Sequence, residues 1–290
     1  VQTPFYSIFA TKIVVSAPKR HIIIEPGRLE KNYWTDVWEQ RELVFILSWR
    51  DISVKYKQSV VGYGWSIFRP LTTLLIFVLL FQNVLNTPIA NVPYSIVVLC
   101  GIIPWSFFSN ALSSSSEILI VNSSMISKVY FPRIYLPLSA IFISFPDFLI
   151  SLVLLMGLML YYSILPTFHL LLLPITFFFL VLLTSGVAFL LSALNVKFRD
   201  FRHLTTFLLQ IGMYASPVAY TLDIVPEKWK WLYSLNPLVG YFEAIRWSVI
   251  PNYNPLDIKG YSYSILATFA LLYLGVRYYR RTERGFADSV

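Results

Sequence analysis

Cysteine is nearly absent: Cys100 is the only one in 290 residues, so no intrachain disulfide can form and a disulfide-framed extracellular domain is excluded. Histidine is scarce too, with three copies and no cysteine cluster beside them, so no zinc site of ordinary spacing is indicated. No Gly-x-x-x-x-Gly-Lys-Ser/Thr run occurs, and the chain has no obvious nucleotide cradle of its own. Charge is sparse at 13%, against about 25% in soluble domains. That is too little for a solvated coat and too little for a disordered tail. Val1–Glu42 has no continuous apolar core of signal-peptide type, so the first long apolar run is expected to direct insertion.

What the chain has instead is apolar residues, 57% of the total, gathered into long runs. They predict an all-α integral membrane protein with six transmembrane helices, at about 66–84, 94–112, 134–161, 170–194, 204–220 and 261–276. Residues 1–65 form an N-terminal region and residues 66–290 the membrane domain. Segment 238–250 is apolar but holds Glu243 and Arg246, and its 13 residues are short for a span. Asn236 and Pro237 before it read as a cap and a first-turn proline. A re-entrant or interfacial helix is expected there.

The formal charge is +8, and the basic residues sit at the ends of the apolar runs, which fits membrane topology better than nucleic-acid binding. On the six-span map, 19 of the 23 Lys and Arg fall on one side. The positive-inside rule then places both termini in the cytoplasm of a multi-pass inner-membrane protein. Residues 36–57 read as an amphipathic helix at the inner interface, with Trp38, Phe45, Trp49, Ile52 and Tyr56 on one face and Glu39, Glu42, Arg50 and Lys57 on another. Asp147, beside Pro146 within the third run, reads either as a path-lining or subunit-contact acid or as a hydrogen-bonded group at a kink. His169 and His203 lie at run ends, and Ser113–Ser116 look like a polar helix end, so none of them marks an active site.

Ahead of the first run stand Arg50-Asp51, Tyr56-Lys57, Gly62-Tyr63-Gly64-Trp65 and Pro70. Further on come Lys128-Val129-Tyr130-Phe131-Pro132-Arg133 with Leu136-Pro137-Leu138, then Leu194-Asn195-Val196-Lys197-Phe198-Arg199-Asp200, then Ser216-Pro217 and Asn236-Pro237. In this order the motifs resemble the membrane subunit of ABC-type polysaccharide exporters, the O-antigen and teichoic-acid group of the ABC-2 family. The resemblance covers nearly the whole chain after Asp36.

The resemblance implies a type-2 exporter fold, a second copy of the chain facing the first, and two separate ATPase subunits that carry ATP and Mg. No cofactor is implied on this chain, which catalyses no reaction. Coupling helices would rest on the ATPases, with Ser115–Lys128 and Asn195–Phe201 as the candidates here. The contact residues would be Glu39, Glu42, Arg50, Glu117, Lys128, Arg133, Arg199 and Asp200. The implied cargo is a glycan on an isoprenoid pyrophosphate, moved outward among membrane lipids. Sugars have apolar faces that stack on aromatic rings. Tyr6, Tyr33, Trp34 and Tyr63 are therefore candidates for the inner entrance, and Tyr214, Tyr220, Trp229, Trp231 and Tyr233 for the outer exit. Arg69 is a candidate for the anionic headgroup, and Asp147 for the path. The same family pattern would serve an exporter of a drug or small lipid. An ion-coupled carrier would show several buried acids, and a membrane glycosyltransferase would show paired acids or a metal cluster. A pure scaffold would not need two arginine-marked loops at coupling positions.

Overall fold

The computed structural model describes residues 33–57, 62–85, 92–198 and 200–286. The chain divides into Val1–Tyr33, of which only Tyr33 is described, and Trp34–Val290, which the following account concerns. Its regular elements are helices: α1 (Tyr33–Glu39), α2 (Glu42–Lys57), α3 (Gly64–Leu85), α4 (Tyr94–Val121), α5 (Ser123–Lys128), α6 (Tyr135–Phe142), α7 (Phe145–Tyr161), α8 (Leu172–Lys197), α9 (Phe201–Ala215), α10 (Glu227–Ser234), α11 (Pro237–Val249) and α12 (Ile258–Thr282).

The expected six spans are not found. Among the described residues, four helical segments are long and apolar enough to cross a membrane: Gly64–Phe81, Tyr94–Val121, Tyr135–Tyr161 and Phe168–Lys197. The fifth expected span is cut short. Pro217 forces Ser216 into an extended conformation (φ −98°, ψ 151°), so α9 ends after 15 residues. At 1.5 Å per residue that is about 22 Å, short of a hydrocarbon layer of about 30 Å. The sixth is long enough at 25 residues but too polar, with Lys259, Tyr261 and Tyr263 near one end and Arg277, Tyr278, Tyr279, Arg280 and Arg281 at the other.

α4 is the hub. Of its span 78% is buried, against 22%, 28% and 33% for the other three, which therefore turn much of their surface outward. Its buried side chains include Ile96, Val97, Leu99, Trp105, Phe107 and Leu119. Phe107 packs edge-on against Phe145, Phe148 and Phe177, joining α4 to α7 and α8. α6 and α7 make one membrane segment with a break at Ile143–Ser144. Pro146 explains it, since its missing N–H leaves the Phe142 carbonyl without a helical donor. α12 runs parallel to α8 at very close range: a Cβ on Gly275 would lie 2.1 Å from the Gly186 carbonyl oxygen, and Tyr261 meets Thr176 by hydroxyl contact at 3.2 Å.

The expected interface helix is two helices, broken at Gln40–Arg41. Its apolar surface is also divided. Val44 and Leu47 are buried, while Trp38, Phe45 and Trp49 point outward. The expected coupling helix is likewise reset: α4 runs on to Val121, and only Ser123–Lys128 stands apart. Segment 238–250 is a regular helix, α11, capped as expected by the Asn236 side chain, which accepts from the Leu238 N–H at 3.0 Å, with Pro237 in the first turn. It is core: Leu238, Tyr241, Phe242, Ile245 and Arg246 are all buried.

Candidate functional site

The 28 residues of α4 span about 42 Å, so Tyr94 and Glu117 mark opposite ends of the bundle. Each end gathers polar groups from distant parts of the chain.

At the Glu117 end, Arg202 in the first turn of α9 pairs with Glu117 at 2.7 Å. Arg50 on α2 donates to the Asn122 side chain at 3.2 Å, just before α5. Asn195 on α8 donates to the Ser116 carbonyl at 2.6 Å. Arg133 is held by the end of α12: its guanidinium donates to the Glu283 carbonyl at 2.6 Å, its backbone N–H to the Glu283 carboxylate at 3.1 Å, and Tyr279 donates back to the Arg133 carbonyl at 2.8 Å. The Tyr135 hydroxyl donates to the Val37 carbonyl, tying α6 to α1. Of the expected ATPase-contact residues, Arg50, Glu117 and Arg133 each tie to a different partner (Asn122, Arg202 and Glu283), while Lys128 on α5 and Asp200 ahead of α9 are exposed. Glu39 and Glu42 are exposed where α1 gives way to α2. Arg199 lies outside the described residues, as does Tyr6.

The corner between α2 and α3 carries a second cluster. The Asp147 carboxylate, in the first turn of α7, pairs with Lys55 at 2.6 Å and accepts from Tyr56 at 2.7 Å and from the Ser66 hydroxyl. Tyr63 stacks on Tyr56, with ring centroids 4.0 Å apart. Burial pushes the Tyr56 hydroxyl well above the usual phenol range, so it stays protonated and donates. Gly62, at φ +53°, takes a turn that a side chain would strain. Trp34, Tyr63 and Arg69 are exposed, and Tyr33 is buried.

At the Tyr94 end sits a network that the sequence reading did not assemble. Arg246 is 0% exposed. Its guanidinium pairs with Glu243 at 2.8 Å and donates to the carbonyls of Pro217 at 2.6 Å and Val218 at 3.0 Å, with a long contact to Val97 at 3.5 Å. Tyr253 donates to the other Glu243 oxygen at 2.8 Å, and burial first, then Glu243, holds its proton firmly. Tyr94 donates to the Ala219 carbonyl at 2.6 Å, and Asn236 to the Ser216 hydroxyl at 2.9 Å. Segment 216–219 is thereby fixed from three sides. The one available clue was the charged pair three apart inside an otherwise apolar helix, which marks a site where burial demands partners. Of the proposed exit residues, Tyr220 and Tyr233 meet hydroxyl to hydroxyl at 2.9 Å, and Tyr220 reaches the Tyr214 carbonyl at 3.1 Å. The Tyr214, Trp229 and Trp231 rings are exposed and join no such contact in the described residues.

Among the described residues, both ends are sets of ties between helices. The profile of the ABC-2 type transporter family matches residues 42–250. The chain belongs to that family. It is accordingly a transport conduit and not an enzyme. It is 28% identical over 248 residues to an O-antigen export system permease protein of Klebsiella pneumoniae, covering 85% of this chain and 94% of that protein. A permease of the same description from Myxococcus xanthus is 26% identical over 257 residues, covering 88% and 98%. A polysialic acid transport protein of Escherichia coli is 26% identical over 261 residues, covering 86% and 97%. The ABC-2 permease is thus a multi-pass membrane protein related to polysaccharide export systems.

Proposed function

We propose that this ABC-2 permease is the membrane subunit of an ATP-driven exporter that carries a lipid-linked polysaccharide outward across the inner membrane. One observation carries the proposal: the relatives named for O-antigen export and polysialic acid transport are matched over 94–98% of their own length, so the likeness extends to the whole molecule. In this reading two copies face each other and two ATPase subunits bind them. The Glu117 end, which also carries Lys128, Arg133, Arg202 and the Arg280–Arg281 pair, faces the cytoplasm, in keeping with the positive-inside rule. Exposed Glu39, Glu42, Arg50, Lys128 and Asp200, with Arg199, offer charged contacts for the ATPase. Arg133 acts from behind, through its hold on Glu283. ATP, with Mg, is hydrolysed on the partner subunits. Arg69 meets the anionic headgroup of an isoprenoid-linked glycan, while the exposed rings of Trp34 and Tyr63 at the entrance and of Trp229, Trp231 and Tyr214 at the Tyr94 end pass the sugar.

The test is to express the chain with its cognate ATPase, purify the complex and measure ATP turnover and glycan movement in vesicles. Stimulation by glycan-lipid with its movement to the far side is expected. No stable association with an ATPase sinks the reading. Stimulation by small amphiphiles but not by glycan-lipid would assign a drug or small-lipid cargo instead.

A further inference from the structure

We propose that Asp147 is a positioning residue: a latch that fastens the corner between α2 and α3 to α7, so that the three helices move together when a partner displaces α2. The inference deepens the ATP-driven reading and rests on it for its functional consequence, though not for its structural one.

The geometry is specific. A single carboxylate on α7 receives bonds from both sides of the corner. Lys55 and Tyr56 belong to the last turn of α2. Ser66 belongs to the first turn of α3. These donors are 92, 91 and 81 residues away from Asp147 in sequence, so no local preference brings them together. Tyr56 is also 3.4 Å from Ser66, hydroxyl to hydroxyl, which closes a ring of contacts across the corner. The stacked Tyr63 covers Tyr56 from the α3 side. Among the described residues, these side chains tie the end of α2 to the start of α3.

A flexible corner would let α2 swing without moving the spans. A carboxylate with a cationic partner and two hydroxyl donors resists that, because each bond broken leaves a partly buried charge less well solvated. Asp147 is only half-exposed or less, with its side chain 20% accessible, while Lys55 is 38% accessible. A helix displaced by an ATPase would pull on α3 through Ser66 and on α7 through Asp147 at once. α7 in turn packs on α4 through Phe148 and Phe107, so the latch leads to the hub.

The experiment uses the full chain in nanodiscs and compares the wild type with Asp147→Asn, Lys55→Met and the exchanged pair Lys55→Asp/Asp147→Lys by hydrogen–deuterium exchange. Asp147→Asn should raise exchange about tenfold in both Ile52–Lys57 and Gly64–Phe68 while leaving α4 and α8 unchanged. Lys55→Met should do so less strongly. The exchanged pair restores the ion pair without the two hydroxyl bonds and should bring exchange part-way back. Unchanged exchange at either segment in Asp147→Asn overturns the latch. So does a general loosening that includes α4 and α8 and that the exchanged pair does not reverse. The functional arm, in the purified complex, is the ratio of glycan moved to ATP hydrolysed. Asp147→Asn should lower that ratio several-fold with ATPase binding retained, and an unchanged ratio overturns the coupling role. If the wild type itself neither binds an ATPase nor moves glycan, the exporter reading falls, and the exchange measurement still decides the latch.

Discussion

Arg246 shows how much one side chain can hold. A guanidinium with no exposed surface is matched by Glu243 and two backbone carbonyls, and it fixes the segment after α9 as it bonds to them. Arg246→Ala should therefore cost about 3–5 kcal/mol, since it leaves the Glu243 carboxylate without its partner in a partly buried place. Thermal unfolding in detergent would measure it. Arg246→Met with Glu243→Gln should recover part of that loss, because no lone charge remains. A double mutant as unstable as the single one would mean that the carbonyl contacts carry the effect. The tyrosines make a separate prediction. Burial pushes the Tyr241 hydroxyl up to about 12 from its ordinary 10.0, while its bond to Thr268 works the other way. The folded state thus favours the neutral form. Its contribution to stability is complete below pH 10.0 and is lost as pH rises through about 12. An ultraviolet titration should show a set of tyrosines that ionise only as the helices melt, and Tyr241→Phe should remove one member of that set.

Single helices were largely legible in advance, and their ends were not. The apolar runs located the bodies of α3, α4, α8 and α11 by hydrophobicity alone, and Asn236-Pro237 marked the start of α11. The failures have particular causes. An apolar run continues through Ser216 and Pro217 into Val218 and Ala219, but the helix cannot, because the residue before proline is driven extended. The third run reads as one segment, yet Pro146 divides it into α6 and α7. The aromatic stripe on α2 has the helical period, but the fold buries Tyr56 from it together with Val44 and Leu47 from beside it and leaves Phe45 and Trp49 exposed, and period alone does not say which side chains meet protein. The pairing of α8 with α12 depends on two glycines far apart in the chain. Gly186→Ala and Gly275→Ala should each cost about 1–3 kcal/mol, because a new methyl would overlap backbone atoms of the facing helix with no side chain to yield. Gly157→Ala, where a Cβ meets nothing within 4 Å, is the control and should be neutral or slightly stabilising.

For the molecule as a whole, the arrangement to test is that polar ties from remote segments share one end. Cys100 is buried, so cysteines introduced singly at Lys128 and Arg202 would report access with little background. Both should label from the cytoplasmic side in inverted vesicles, and labelling from opposite sides would break the proposed orientation. Glu117→Arg and Arg202→Glu should each weaken ATPase docking, and the two together should restore it. As an exposed pair, Glu117 and Arg202 add only about 0–1 kcal/mol to folding, so thermal stability should scarcely change. Reversing the charges of Glu39, Glu42 and Arg50 should weaken docking with membrane insertion intact. Unchanged docking would leave α1 and α2 as an anchor.

Composition and short motifs were enough to place the chain in a membrane and to liken it to polysaccharide exporters, because bulk apolarity and local turn signals are properties of neighbouring residues. They did not show that, among the described residues, four segments and not six have both the length and the apolarity to cross, since that depends on where the folded helices end. Nor could they show which charges meet. Lys55 finds Asp147 across 92 residues and Arg133 finds Glu283 across 150, and such partners are chosen by the packing of whole helices around α4, after the local preferences have been satisfied.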